Sequence, residues 1–195
     1  MTTPTLHFAP ETLLLAQRIR AAIFDVDGVL TDGRIYLGEH GEHFKAFSTL
    51  DGHGLKLLAR AGIEPIIISG RDSPALRRRA ADLGIRHASY GAEDKLRAAQ
   101  GLLAPLELAW SQVAAMGDDW PDLPLLRRAA FGCAPPGAHA EVRAACAHVT
   151  QAQAGFGAAR EFCDLLLIAS GRYVELLEDA HVTLDHTAQV GHERA

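Results

Sequence analysis

The sequence predicts an α/β fold, a parallel sheet covered by helices on both faces, built as one domain. Three observations carry that expectation. Short β-rich runs alternate with helical stretches, several of the helical stretches stop at a glycine, and polar segments sit where the apolar runs end. A length of 195 residues, 48% hydrophobic and 22% charged, suits a single domain with a sizeable core.

The first strand is expected over Ala21–Val26 (AAIFDV), an apolar run that reads as buried. An insertion at 33–47 then breaks the alternation. Arg34–Leu37 and Glu42–Phe47 flank Gly38-Glu-His-Gly41, which predicts a small β-hairpin with a glycine-bearing turn. Its Ile35, Tyr36, Phe44 and Phe47 would be exposed and would suit a contact between subunits. Gly54–Ala61 is expected as a helix stopping at Gly62, followed by a strand over Glu64–Ser69. Pro74–Leu83 is a helix stopping at Gly84, because glycine accepts the left-handed conformation that ends a helix. Strands over Arg86–Tyr90, Gln112–Met116 and Phe131–Ala134 alternate with helices over Asp94–Leu103 and Leu123–Ala130. Such alternation implies right-handed βαβ units. The domain is expected over 1–180, with 181–195 a flexible tail.

Composition excludes several classes. A formal net charge of −5 leaves no basic footprint for nucleic acid. No apolar run approaches the roughly 20 residues of a membrane span, and the start lacks a charged segment with an apolar core. No membrane association and a cytoplasmic location are therefore expected. Cys133, Cys146 and Cys163 have no paired metal spacing and read as reduced, buried thiols.

In an open, Rossmann-like sheet, ligands bind beyond the carboxyl ends of the strands. The first strand ends in Asp25-Val26-Asp27-Gly28, and two carboxylates so close repel unless a cation or proton separates them. Oxygen-rich clusters suit Mg²⁺. Asp25 is the candidate nucleophile, Asp27 the candidate general acid and base, and Gly28 lets backbone N–H groups approach a phosphate. Ser69-Gly70-Arg71 closes the second apolar strand with a hydroxyl, a flexible backbone and a guanidinium, groups suited to phosphate oxygens. Lys95, one of only three lysines, stands near a helix start where a cation would offset phosphoryl charge. Asp118 or Asp119, with Asp122 one turn on, in Gly117-Asp-Asp-Trp-Pro-Asp122, gives a second acidic cluster for the same cation.

Asp25/Asp27, Ser69, Lys95 and Asp118/Asp122, in that order, resemble the four motifs of the haloacid dehalogenase superfamily of phosphatases. The resemblance implies an Mg²⁺-dependent phosphomonoesterase working through an aspartyl-phosphate. Mg²⁺ would be bound by Asp25, the Asp27 backbone carbonyl and Asp118, with Asp122 supporting. Neither the interval after the first strand nor that from Ser69 to Lys95 can house a cap domain. The strings DVDGVLTDG, LDGHGLKLL, ISGRDSPALRRRAADLGI, MGDDWPDLP and GFGAAREFCDLLLIASG are similar to the capless family that hydrolyses 3-deoxy-D-manno-octulosonate 8-phosphate, a lipopolysaccharide precursor step. That resemblance implies a homotetramer held through the hairpin, with C-terminal segments reaching neighbouring active sites. It implies a small phosphorylated sugar acid as substrate and a substrate loop of Ser48, Thr49, Leu50, Asp51 and Gly52. Gly28, Lys56, Gly70, Arg71 and Arg79 would join the loop in contacting substrate. Phe156 stands where that family often has arginine.

Two alternatives belong beside this reading. A phosphatase for another nonulosonic acid, such as a sialic-acid-type 9-phosphate, would use identical catalytic residues. A receiver-like signalling module gathers similar groups but carries its aspartate on a middle strand, whereas Asp25 and Asp27 lie on the first.

Overall fold

The computed structural model describes residues 4–180. Six parallel strands form the central sheet in the order β5-β4-β1-β6-β7-β8. They are β1 (Ala21–Phe24), β4 (Glu64–Ser69), β5 (His87–Tyr90), β6 (Val113–Met116), β7 (Phe131–Ala134) and β8 (His148–Val149). The expected α/β class holds. Every residue of β1, β6 and β7 is buried, which is why these runs are continuously apolar rather than alternating.

Period-two geometry sends successive β1 side chains to opposite faces. Ala22 and Phe24 enter one core cluster with Leu55, Leu58 and Phe162, from α2 (Thr49–Arg60) and α7 (Ala158–Ala169). There Phe162 meets Phe24 edge-on at 5.5 Å and stacks on Phe131 at 6.2 Å between centroids. Ala21 and Ile23 enter the other cluster with Ala99, Leu125 and Val142, from α4 (Lys95–Leu103), α5 (Leu123–Arg128) and α6 (Ala140–Ala145). α1 (Pro10–Ala16) and α3 (Pro74–Leu83) add Ala16 and Leu76 to the first cluster. α3 shows the expected ends, with Ser73 Oγ accepting the Leu76 N–H and Gly84 left-handed at φ 71°. Residues 173–180 are helical.

The inserted hairpin is shorter than expected. β2 (Tyr36–Gly38) and β3 (Gly41–Phe44) pair antiparallel as a separate two-stranded sheet, with Tyr36 stacked on Phe44. The larger correction falls on Ser48–Gly52. A substrate loop was expected there, but Ser48 is the N-cap of α2 and residues 49–52 are its first turn. Helical periodicity does not mark α1, α6 or the two-residue β8, and residues 181–195, expected to be a flexible tail, lie outside the described residues.

Connections from β1 run outward to β4 and β5, then return across β1 to β6, so the strand order reverses between β1 and β6. The crevice beyond such a switch point is where an open α/β sheet binds ligands.

Candidate active site

Asp25 and Asp27 leave the end of β1 at that crevice, and the Asp25 N–H donates to the Met116 carbonyl of β6 at 3.0 Å. An open cavity of about 410 Å³ is lined by Asp25, Asp27, Gly70, Arg71, Lys95, Asp118 and Asp122. Ala92, Glu93 and Pro121, not expected from sequence, also line it, as does Asp119.

Asp25, Asp118 and Asp122 each offer a carboxylate oxygen, and these atoms lie within 4.8 Å of one another. Lys95 Nζ is 2.7 Å from Asp25 Oδ1 and 2.6 Å from Asp122 Oδ1. Asp122 spends its other oxygen on the N–H groups of Asp118 and Asp119, at 3.0 and 3.3 Å, so it fixes the turn that carries Asp118. Two glycines make this packing possible. A Cβ on Gly28, which is also left-handed at φ 86°, would overlap the Asp118 carboxylate, and a Cβ on Gly117 would overlap Asp122.

The electrostatics follow from crowding in a dry place. Burial, reinforced by Asp122 and opposed by Lys95, pushes the Asp25 pKa up to about 6. Burial, then Asp25 and Asp122, push that of Asp118 to about 8. Burial by itself would depress the Lys95 ammonium, but Asp25 and Asp122 outweigh it and hold its pKa above the ordinary lysine value. Asp25 and Asp118 therefore resist being charged together without a counter-ion. Oxygen donors that demand positive charge fit a hard divalent cation such as Mg²⁺.

The other expected residues divide clearly. Ser69 ends β4 and is buried, its Oγ accepting the Arg71 N–H at 3.1 Å, so it shapes the turn that presents Gly70 and Arg71. Thr49 and Leu50 line a neighbouring open hollow with Ser48, Asp32, Arg34 and Phe156 rather than the carboxylate cavity. Asp51 and Gly52 make structural contacts. Asp51 is buried, and its carboxylate accepts the Gly157 and Arg160 N–H groups, at 3.3 and 2.8 Å, capping the start of α7. Arg79 is turned to the same place: its Nη2 donates to the Ser48 carbonyl at 3.0 Å, and Gly52 packs beneath it. Lys56 is exposed on α2 and lines none of these hollows. Sequence reading passed over Lys45 and Glu42, which the hairpin delivers to Asp27. Only the scarcity of lysine marked Lys45 beforehand.

A family model for haloacid dehalogenase-like hydrolases matches residues 90–162. The chain is also 41% identical over 167 residues to the 3-deoxy-D-manno-octulosonate 8-phosphate phosphatase KdsC of Salmonella typhimurium, covering 86% of this chain and 89% of that one. The chain belongs to the KdsC family. A crystal structure of the Moraxella catarrhalis 3-deoxy-D-manno-octulosonate 8-phosphate phosphatase, in complex with magnesium ion, phosphate ion and KDO, is 40% identical. It matches with a TM-score of 0.84 over 87% of this chain and 97% of that one. A probable YrbI family phosphatase from Pseudomonas syringae is 48% identical, with a TM-score of 0.84 over 90% and 98%. Between β1 and α4 stand only the hairpin, α2, β4, α3 and β5, with no cap-sized insertion.

Proposed function

We propose that this protein is an Mg²⁺-dependent phosphomonoesterase that hydrolyses 3-deoxy-D-manno-octulosonate 8-phosphate to the free sugar acid and phosphate, a step in lipopolysaccharide precursor synthesis. The observation that carries the reading is the three-carboxylate cluster with Lys95 against Asp25, set at the switch point of a KdsC-family sheet.

Asp25, Asp118 and, in a supporting role, Asp122 would hold Mg²⁺, joined by the Asp27 backbone carbonyl. Bound there, the cation supplies charge to draw a phosphoryl group towards Asp25 and to let these carboxylates ionise together. Asp25 attacks phosphorus and forms an aspartyl-phosphate as the bond to the sugar oxygen breaks. Asp27 gives its proton to that oxygen. It then takes a proton from the water that attacks the aspartyl-phosphate and regenerates Asp25. Lys95 keeps Asp25 oriented and offsets charge on the transferring oxygens. Gly70 and Arg71 line the cavity on the β4 side, on the turn that Ser69 shapes, and Arg71 offers a guanidinium to an anionic substrate group.

Assembly belongs to the same proposal. Ile35, Leu37 and Phe44 of the hairpin are exposed, as is Phe156 between two hollows beside the site. These faces support a homotetramer built through the hairpin, with C-terminal segments over neighbouring sites, and residues 4–180 support a single domain. Among the described residues no helix is long and apolar enough to cross a membrane, and a cytoplasmic location is part of the proposal.

Phosphate release from a panel of esters tests the reading. The octulosonate 8-phosphate should give a kcat/KM far above that of a sialic-acid-type 9-phosphate and of generic esters. Asp25→Asn and chelation with EDTA should each abolish turnover. Equal rates across the panel would overturn the substrate, and a fully active Asp25→Asn would remove the nucleophile.

A further inference from the structure

The hairpin contributes chemistry as well as an apolar face. Lys45 follows β3 directly, yet its side chain is only 1% exposed. Its Nζ donates to Asp27 Oδ1 and lies 3.3 Å from Glu42 Oε2. Arg71 Nη2 donates to the same Glu42 oxygen at 3.2 Å, and Arg71 Nε lies 3.9 Å from Asp27 Oδ2. Two cations and two carboxylates thus alternate in a closed ring drawn from the β1 end, the hairpin and the turn after β4. Burial alone would raise the Glu42 carboxyl. Hydrogen bonds from Ser73, Lys45 and Arg71 outweigh it and hold the group below its ordinary range, so the ring keeps Glu42 charged.

A buried lysine is expensive unless fully paired, and a hairpin lysine with no task is normally left in water. Lys45 is buried against the one carboxylate assigned to proton transfer. We propose that Lys45 is a positioning residue for Asp27, so that the hairpin, fixed by Glu42 and Arg71, aims the acid–base group at the reacting oxygen. The inference rests on the reading of Asp27 given above. Oδ1 is tied to Lys45, which restrains the carboxyl, and Oδ2, 3.9 Å from Arg71 Nε, is the oxygen left for proton transfer in the cavity that Asp27 lines. In the first half-reaction the proton on Oδ2 passes to the sugar oxygen as its bond to phosphorus breaks. The charge left on Asp27 faces Lys45 and Arg71. In the second, Oδ2 takes a proton from water as the water oxygen bonds to phosphorus. Lys45 keeps all its protons throughout.

The test compares Lys45→Met and Lys45→Arg in the full chain with Mg²⁺ on two esters. 3-Deoxy-D-manno-octulosonate 8-phosphate needs a proton on its leaving oxygen, whereas p-nitrophenyl phosphate releases a stable phenolate that does not. Lys45→Met should lower kcat for the sugar phosphate on the order of 10²-fold, the size of loss that follows misplacement of a catalytic group by about 1 Å, with KM nearly unchanged. The first-turnover burst of p-nitrophenolate should stay within about threefold of wild type, because that half-reaction asks nothing of the acid. Lys45→Arg should recover most of kcat. Glu42→Gln, which leaves Lys45 present but loosens the ring, should show the same dependence on leaving group, more weakly. Equal losses on both esters, or a raised KM with unchanged kcat, would overturn the positioning role and leave the phosphatase reading intact. A wild-type protein inert towards both esters would overturn both.

Discussion

Lys95 offers the sharpest test of the carboxylate cluster. It is 7% exposed and bridges Asp25 and Asp122 at 2.7 and 2.6 Å. Lys95→Met keeps the length and apolar stem of the side chain and deletes the ammonium. Three carboxylates within 4.8 Å then face one another in a largely dry site. Removing one partner of a buried ion pair costs about 3–5 kcal/mol. In a chain of this size each kcal/mol moves Tm by roughly 2–4 °C, so the metal-free variant should melt about 6–20 °C below wild type. Calorimetry in EDTA at pH 8 reads this directly. The loss should shrink at pH 5. Asp25 and Asp118, whose pKa values are raised to about 6 and about 8, are then protonated in the folded state and no longer repel. Saturating Mg²⁺ should return part of the loss at pH 8, since a ligand at 100 times its Kd is worth about 2.7 kcal/mol. A variant melting within about 2 °C of wild type at pH 8 without metal would refute the reasoning, because it would mean that the carboxylates do not depend on Lys95.

Two further outcomes follow from the same geometry. Because the folded-state pKa values of Asp25 and Asp118 lie above the unfolded ones, their contribution to stability is complete below about pH 4 and is lost as pH rises towards 8. The difference in Tm with and without Mg²⁺ should therefore grow steadily from pH 5 to 8, and a difference independent of pH would remove these groups as the cation's ligands. Asp51→Ala should destabilise the protein by about 1–3 kcal/mol in urea unfolding, by leaving the Gly157 and Arg160 N–H groups unpartnered. Its KM for the sugar phosphate should not move, and a raised KM at unchanged stability would return Asp51 to the substrate site.

What could be read from sequence divides by the range of the interaction that decides it. β4, β7 and α3 match expectation because each is settled locally, by an apolar run or by Ser73, Pro74 and Gly84. Asp25, Asp27, Lys95, Asp118 and Asp122 were legible because parallel strands deliver their carboxyl ends to one edge. Ser48–Gly52 was expected as a loop only through the family resemblance, while its own local signal, a serine hydroxyl accepting the Asp51 N–H, is that of a helix N-cap. Its Asp51 carboxylate serves the start of α7, more than a hundred residues away in the chain, which no local pattern reveals. Lys45 escaped notice for a similar reason. Nothing in the local pattern Glu42-His-Phe-Lys45 says that the hairpin folds back onto the end of β1.

Charge balance explains why Asp25 and Asp27, two residues apart, suit different work. Asp25, Asp118 and Asp122 form a cluster of three carboxylates against the single ammonium of Lys95, a formal deficit of two positive charges. Asp27 and Glu42 form a ring of two carboxylates with two cations, Lys45 and Arg71, which balance without help. A divalent cation therefore gains most on the Asp25 side, where it replaces the protons that burial forces on Asp25 and Asp118. On the Asp27 side the charge is already matched, so its carboxyl is left to handle protons rather than metal. Asp27 stands outside the cluster whose oxygens converge within 4.8 Å, as this balance requires. The hairpin supplies two of the four charged groups in that second ring. Loss of the hairpin would leave Asp27 facing Arg71 alone, and the proposed acid–base group would lose the fixed direction that distinguishes it from Asp25, the proposed nucleophile beside it.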